Sequence, residues 1–551
     1  MQLVPKTGIL PLTVTFRNFI VFFLLACSAS TAAQKVITAP LSADTMRLIQ
    51  IVQGNSLRHI TIDSLTQMET ISGNVIIKEG LTTFYCDSAT LNKRTNILEA
   101  FGNIHINDND SIHTYAQYLK YIGSERMAYL KKKVKLVDTK GGVLLTDDLD
   151  YNLRTGIATY KNGGQITNAK TILNSREGVY YSDTKDVYFK KNVHLVDPKY
   201  DIRTDSLLYN LITETATFIA PTHIVSKDGI IDTRSGTYNL KTGEAIFYER
   251  TSFQDSTHFM IADKILRDEK SNILQMEGNA KLVDSTNKVT VLGNLIYLNT
   301  KQNSFLATNK AVMILYREGD STYITADTLF SGLKKYDSLE RKMVTKADTL
   351  KKTFAINAVR ADSAVRYFLA FYHVRIFNDS LQAVCDSLHY STADSTFKLF
   401  GTPIVWNDKT QVTGDTLFMF TEKQKAKRLY VFNNGMVINH SGGSLYNQVA
   451  GRTLNAYFNN GVIDYVRVKG SPAESIFYPM DDDSAYIGMN RSSGDVIDIH
   501  FVKKELNKVK FVNNVDGILY PLKQVPDDQK HLKNFKWYDN RRPKNKLELF
   551  E

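Results

Sequence analysis

One residue position recurs about every 29 residues along this chain, and that period limits the fold more than any single motif. The step Ile202-Arg203-Thr204-Asp205-Ser206-Leu207-Leu208-Tyr209-Asn210 is representative. Related steps carry an anchor at Asp87, Tyr115, Asp147, Arg176, Asp205, Arg234, Asp263, Gly293, Asp327, Asp386 and Asp415. The gaps are 28, 32, 29, 29, 29, 29, 30, 34, 59 and 29 residues. The gap of 59 reads as two periods, with one degenerate repeat between Asp327 and Asp386. A fixed period of this size means a stacked array. Each unit then buries its apolar face only against its neighbours. Function is to be sought on a long regular surface or groove.

Each anchor strand is followed by a turn and a short alternating run. Gly73-Asn74-Val75-Ile76-Ile77, Gly102-Asn103-Ile104-His105-Ile106, Lys191-Asn192-Val193-His194-Leu195 and Gly278-Asn279-Ala280-Lys281-Leu282 show it. Gly-Asn and Lys-Asn pairs suit positive φ. The period of two after them marks a strand with one apolar face. Aligned this way, Val75, Ile77, Ile104, Ile106, Val134, Leu136, Val193, Leu195, Ala280, Leu282, Val312, Ile314, Ile404 and Trp406 form one interior wall. His105, Lys135, His194, Lys281 and Arg375 point away from it. The expected fold is all-β: an elongated array of two-sheet repeats. One strand per wall is expected from each repeat. The abundance of Tyr (29) and Phe (28) and the scarcity of Pro (11) agree with strands.

The 551 residues allow a large core. The formal charge of +11 fits a solubilising surface or affinity for an anionic partner. No aromatic-basic interleaving of a nucleic-acid module stands out, so no nucleic-acid partner is expected. The N-terminus has the order of a secretory signal: Lys6 and Arg17, the apolar run Phe19 to Cys27, then small residues to Ala33. Cleavage after Ala33 gives a periplasmic chain; lipidation at Cys27 is the rival. Beyond it only Cys86 and Cys385 remain, at the same place in distant repeats. They are expected unbridged, since a disulfide needs Cα atoms within about 7 Å.

The organisation reads as a signal at 1–33, repeats over 34–330, a charged insertion at 331–353, further repeats over 354–520, and a polar tail at 521–551. The tail's Phe535-Lys536-Trp537-Tyr538 cluster is expected to cap the last rung. No catalytic cluster, metal-ligand spacing or phosphate loop appears, so neither an enzyme nor a cofactor is expected. The recurring Asp residues are expected to satisfy backbone groups at a repeated bend.

These features resemble the OstA-like family, which includes LptA and the periplasmic part of LptD. The resemblance rests on steps of the Thr204-Asp205-Ser206 type, returns of the Gly102-Asn103-Ile104 type, and the Ala-Asp pairs Ala262-Asp263 and Ala326-Asp327. It covers most of residues 60–520. This chain is several times longer than the small LptA form, and only some thirty polar residues follow Tyr520. The resemblance implies a β-jellyroll trough, or β-taco, whose interior holds the acyl chains of lipopolysaccharide or a similar anionic lipid. It also implies end-to-end joining with similar modules in outer-membrane assembly. A trough lowers the cost of exposing each CH₂, about 0.8 kcal/mol. Two rivals remain: a structural or adhesive solenoid with a filled core, and a β-helix enzyme, for which no converging acids are seen.

Overall fold

The period of 29 is a pair of strands joined by two kinds of tight turn. The strands Thr82–Asn92 and Ile97–Asp108 make one such unit, and Ile112–Ile122 and Met127–Asp138 the next. The computed structural model describes residues 48–549 apart from 62–66, 140, 318–319, 335–364, 423–424, 482–484 and 503–504. The signal segment at 1–33 and the Cys27 alternative lie outside them. Among the described residues there are 38 strands, no α-helix and four short 3-10 turns. All the strands belong to one antiparallel meander.

The Gly-Asn and Lys-Asn pairs are not turns between strands. Each is a bulge inside one continuous strand. Between Gln67–Glu79 and Thr82–Asn92 the register shifts from Ser72↔Ser88 to Val75↔Cys86. Gly73 and Asn74 are therefore extra, and both have positive φ (78° and 49°). The same left-handed pair recurs at Gly102/Asn103, Lys132/Lys133, Lys191/Asn192, Gly278/Asn279 and Asn309/Lys310. A bulge bends its strand and increases twist. Each long strand thus crosses from a first wall, holding Leu91, Leu98 and Leu119, to a second wall, holding Phe84, Ile106 and Thr114. Over residues 157–181 and 215–268 the bend widens and the two halves become separate short strands, whereas Asp186–Val196 and Tyr200–Asn210 between them stay continuous. Each repeat therefore adds two strands to each wall, not one, or about 10 Å of stack.

The anchors are the single residues that face these bulges. Asp87 lies opposite Gly73-Asn74, Asp205 opposite Lys191-Asn192, and Asp327 opposite Asn309-Lys310. The register moves two of the expected anchors: Gln117 takes this place rather than Tyr115, and Asn294 rather than Gly293. Several anchor carboxylates bond an Asn side chain on a bulge instead of backbone groups. Asn103 Nδ2 donates to Asp87 at 2.9 Å, Asn279 Nδ2 to Asp263 at 2.8 Å, and Asn434 Nδ2 to Asp415 at 3.0 Å. At the outer edge of the first wall, Asn92, Asn152, Asn210 and Asn239 each accept two backbone N–H groups of a four-residue turn.

The gap of 59 between Asp327 and Asp386 is not two repeats. Asp320–Lys334 pairs directly with Val365–Phe377, from Lys334↔Val365 to Tyr323↔Phe377. One ordinary repeat spans the gap together with the 30 residues 335–364, whose removal leaves 29. Ser331 to Lys334, expected to open the insertion, are the end of a strand. Residues 335–353 of that insertion lie outside the described residues, as do 354–364.

The tail does not cap the last rung. Residues 521–549 run back over the outer face of the second wall. Two buried side chains there, Gln411 and Gln448, pair with its backbone as a neighbouring strand would. Gln411 donates to Lys536 O (2.8 Å) and accepts from Tyr538 N (2.8 Å). Gln448 donates to Lys530 O (2.9 Å) and accepts from Leu532 N (2.8 Å). Arg542 binds Gln382 twice, at 2.8 and 2.6 Å, and Arg375 donates to Glu548 O at 2.6 Å. Cys86 and Cys385 are both buried and free. Burial pushes each thiol up to about 12.

Candidate functional site

The space between the two walls is closed in one region and open in another. Over residues 49–245 the side chains of both walls interlock, except near Lys227 to Ile231, which already border the open part. Phe84 of the second wall meets Tyr121 of the first with ring centroids 4.9 Å apart. Tyr151, Tyr160, Tyr209, Phe189 and Phe218 are also fully buried there. The mouth of this region is latched. Tyr121 donates to Glu79, Tyr151 to Asp108 (3.0 Å) and Tyr180 to Asp138, in each case from the first wall to the rim of the second. Lys185 also reaches Asp138, and Thr82 donates to Asp108 at 2.9 Å. Burial raises the phenol pKa of Tyr121, Tyr151 and Tyr180, so these groups stay protonated donors.

From about Phe247 onward the walls part. Two adjoining cavities of about 580 and 530 Å³ lie between them. Both volumes fall in the range of small-molecule sites. Phe247, Phe253, Met260, Ile265 and Leu274 line the first. Phe305, Met313, Leu315, Phe368 and Phe397 line the second. His258, Leu298 and Asn303 border both, so the two form one groove. Its floor is apolar, and its rim carries Asp284, Asn303, Lys288 and Arg366. Such a site can shelter hydrocarbon below and meet a polar group above. Among the described residues, no three His, Cys, Asp or Glu side chains are placed to hold a metal.

The fourteen expected interior residues divide three ways. Val75, Ile77, Ile104, Ile106, Val134, Leu136, Val193 and Leu195 face inward in the closed region, with 2% exposure or less. A ligand reaches them only if the walls are pried apart. Ala280 and Leu282 also face inward, and Leu282 is the one of the fourteen that lines either cavity. Val312, Ile314, Ile404 and Trp406 lie on the opposite, outer face of the second wall. Ala311, Met313 and Val405 occupy the inward places beside them. Ile404 and Trp406 pack against Tyr538 of the tail. The cause is a one-residue slip, which turns every side chain to the other face. The bulge at Asn309-Lys310 ends one residue earlier than the alignment assumed. After Gly401-Thr402, Pro403 holds the place that Val75 holds earlier.

Sequence reasoning missed Phe253, Leu274, Leu298, Phe305 and Phe397. A signal was present. Tyr121, Tyr151, Tyr180, Tyr209 and Tyr238 recur at gaps of 30, 29, 29 and 29, at the inward position nearest the mouth. The next two equivalents are Arg267 and Leu298. The groove begins where this tyrosine series stops.

Fold and groove together define a bulged, two-walled β-meander with an apolar interior that opens over part of its length. A family model described as OstA-like protein matches residues 47–205 and 202–263. That stretch, less than half of the chain, is similar to the OstA-like family. A comparison with curated proteins gives no match. The family match falls mostly on the closed region, and the greater part of the groove lies beyond it.

Proposed function

We propose that this protein binds an amphiphilic lipid and shields its acyl chains between the two walls, in the manner that its OstA-like stretch suggests for lipopolysaccharide. The carrying observation is the apolar groove bounded by Phe247 and Phe397, open at its mouth and adjoining a closed core of the same construction. A hydrocarbon chain there leaves water at a gain of about 0.8 kcal/mol per CH₂. The role is binding and transfer without bond chemistry. A periplasmic location agrees with the signal-like N-terminus. Joining to similar modules is supported by the open edge strand Ser56–Thr61, which is mostly exposed and offers a partner for strand addition.

A second reading concerns residues 49–245 alone. Their filled, latched interior favours a rigid spacer that sets the groove at a distance from whatever the first strands contact. The test of the main reading is extraction of lipid from the purified full-length protein, followed by mass spectrometry. Co-purifying lipid A-type lipid, displaced by a fluorescent acyl probe in a 1:1 ratio, is the expected result. Protein that carries no lipid and takes up no acyl probe would sink it.

A further inference from the structure

We infer that the groove selects an amphiphile with a phosphate head, held at the mouth between Arg366 of the first wall and Lys288 of the second; this rests on the amphiphile-binding reading above. Most cations along the mouth are already paired. Arg267 is held by Glu269 at 2.6 Å, Lys270 by Glu244 at 3.2 Å, and Lys185 by Asp138. His258 sits 3.1 Å from Asp255. Arg366 differs. Its Nη1 donates to Ser331 Oγ at 3.3 Å and its Nη2 to Asn303 Oδ1 at 3.2 Å, both neutral acceptors. These bonds fix the direction of the guanidinium without cancelling its charge. Among the described residues no carboxylate pairs with Arg366 or with Lys288.

The two cations border the same cavity from opposite sides. Arg366 is the second residue of the strand Val365–Phe377, on the first wall. Lys288 ends the turn before Val289–Asn299 of the second, with left-handed φ of 54°. The carboxylate among the residues that line this cavity is Asp284. It is turned into its own turn, accepting Asn287 N at 2.9 Å and Asn287 Nδ2 at 2.6 Å. Below the pair lie Leu298, Phe305, Met313, Leu315 and Phe368. Charges at the edge of an apolar cleft act through a lower dielectric and are worth more than in open water. Two uncompensated cations on one cavity match a group of charge near −2. A phosphate monoester has about that charge at neutral pH, whereas a carboxylate has one. Arg also presents a fork suited to phosphate oxygens.

The test uses full-length protein and three probes with the same twelve-carbon chain, below their micelle concentrations: dodecyl phosphate, laurate and 1-monolauroylglycerol. Calorimetry of the wild type should give at least tenfold tighter binding of the phosphate than of the neutral glyceride, with laurate between them. In the double variant Arg366→Gln/Lys288→Gln the ratio of phosphate to glyceride affinity should fall about tenfold. The preference should also shrink in 0.5 M salt, since exposed charges are then screened. Equal wild-type affinities for phosphate and glyceride would overturn the inference and leave the amphiphile reading standing. So would a double variant whose ratio is unchanged, or one that loses both probes in parallel. Failure of the wild type to bind any of the three would overturn the inference and the reading together.

Discussion

Residues 49–245 and 247–397 are made of the same strand pairs, bulges and turns, yet one interior is filled and the other is open. The difference lies in a few inward positions. In the first region a large ring from one wall reaches an acid on the far rim, as Tyr151 does with Asp108. In the second, Arg267 and Leu298 hold the tyrosine's place, and Leu298 stays half-buried against the cavity. A repeat architecture can thus switch from core to container without changing its backbone plan. What decides is side-chain length across the mouth.

The strongest way to break this comparison is to shorten one Leu in each region. Leu195→Ala removes a fully buried side chain from a packed interior and should cost about 2–5 kcal/mol. Leu298→Ala borders an existing cavity and should cost about 1 kcal/mol. Urea unfolding of both variants measures this, and similar losses would mean that the two interiors are packed alike. A smaller effect concerns the latches. Tyr151→Phe leaves the Asp108 carboxylate short of a donor and should destabilise by about 1–3 kcal/mol. Asp108→Asn should be partly redundant with it, so a double-mutant cycle showing full additivity would mean that no latch exists.

A third measurement sharpens the contrast on the ligand side. A photo-crosslinker at Leu298 should capture an acyl probe several-fold more than one at Leu195, while one at the outward Lys281 should capture almost none. Equal capture at Leu195 and Leu298 would show that the closed region opens in solution. The smallest effect is electrostatic and lies outside both regions. The Arg467 guanidinium, at 2.7 and 2.8 Å, holds the Asp498 carboxyl below the usual carboxylate range. A depressed folded-state value stabilises the native state above the ordinary carboxylate pKa. That contribution fades as pH falls through the folded value. Asp498→Asn should therefore flatten the acid limb of a stability-versus-pH curve while changing its slope near pH 7 little. An unaltered acid limb would count against the pair.

Much of the fold was legible in the sequence because its rules are local. Alternation marks inward residues such as Val193 and Leu195, and most of the paired left-handed positions carry Gly, Asn or Lys, with Tyr372-His373 a departure. Two strands per wall from each repeat could not be read, because a bulge inside a strand and a turn between strands use the same residues. The outward facing of Ile404 and Trp406 was hidden for another reason. Ile404, Val405 and Trp406 are all buried, so alternation is lost where the tail covers the second face. The open groove was the least legible feature. Its presence depends on whether two side chains some 42 residues apart, such as Tyr121 and Glu79, can meet. The regular return of Tyr up to Tyr238 was the trace it left.

The tail changes how this molecule comes apart. In a plain stack each strand touches only its sequence neighbours, so stability is a sum of nearest-neighbour terms and the ends fray independently. The bonds from Gln411, Gln382 and Arg375 to the tail span 125, 160 and 173 residues. They tie rungs that are otherwise remote into one cooperative block. Strands between about Arg375 and Gln448 then open together or not at all, and slow hydrogen exchange should extend evenly across that block instead of declining toward its end.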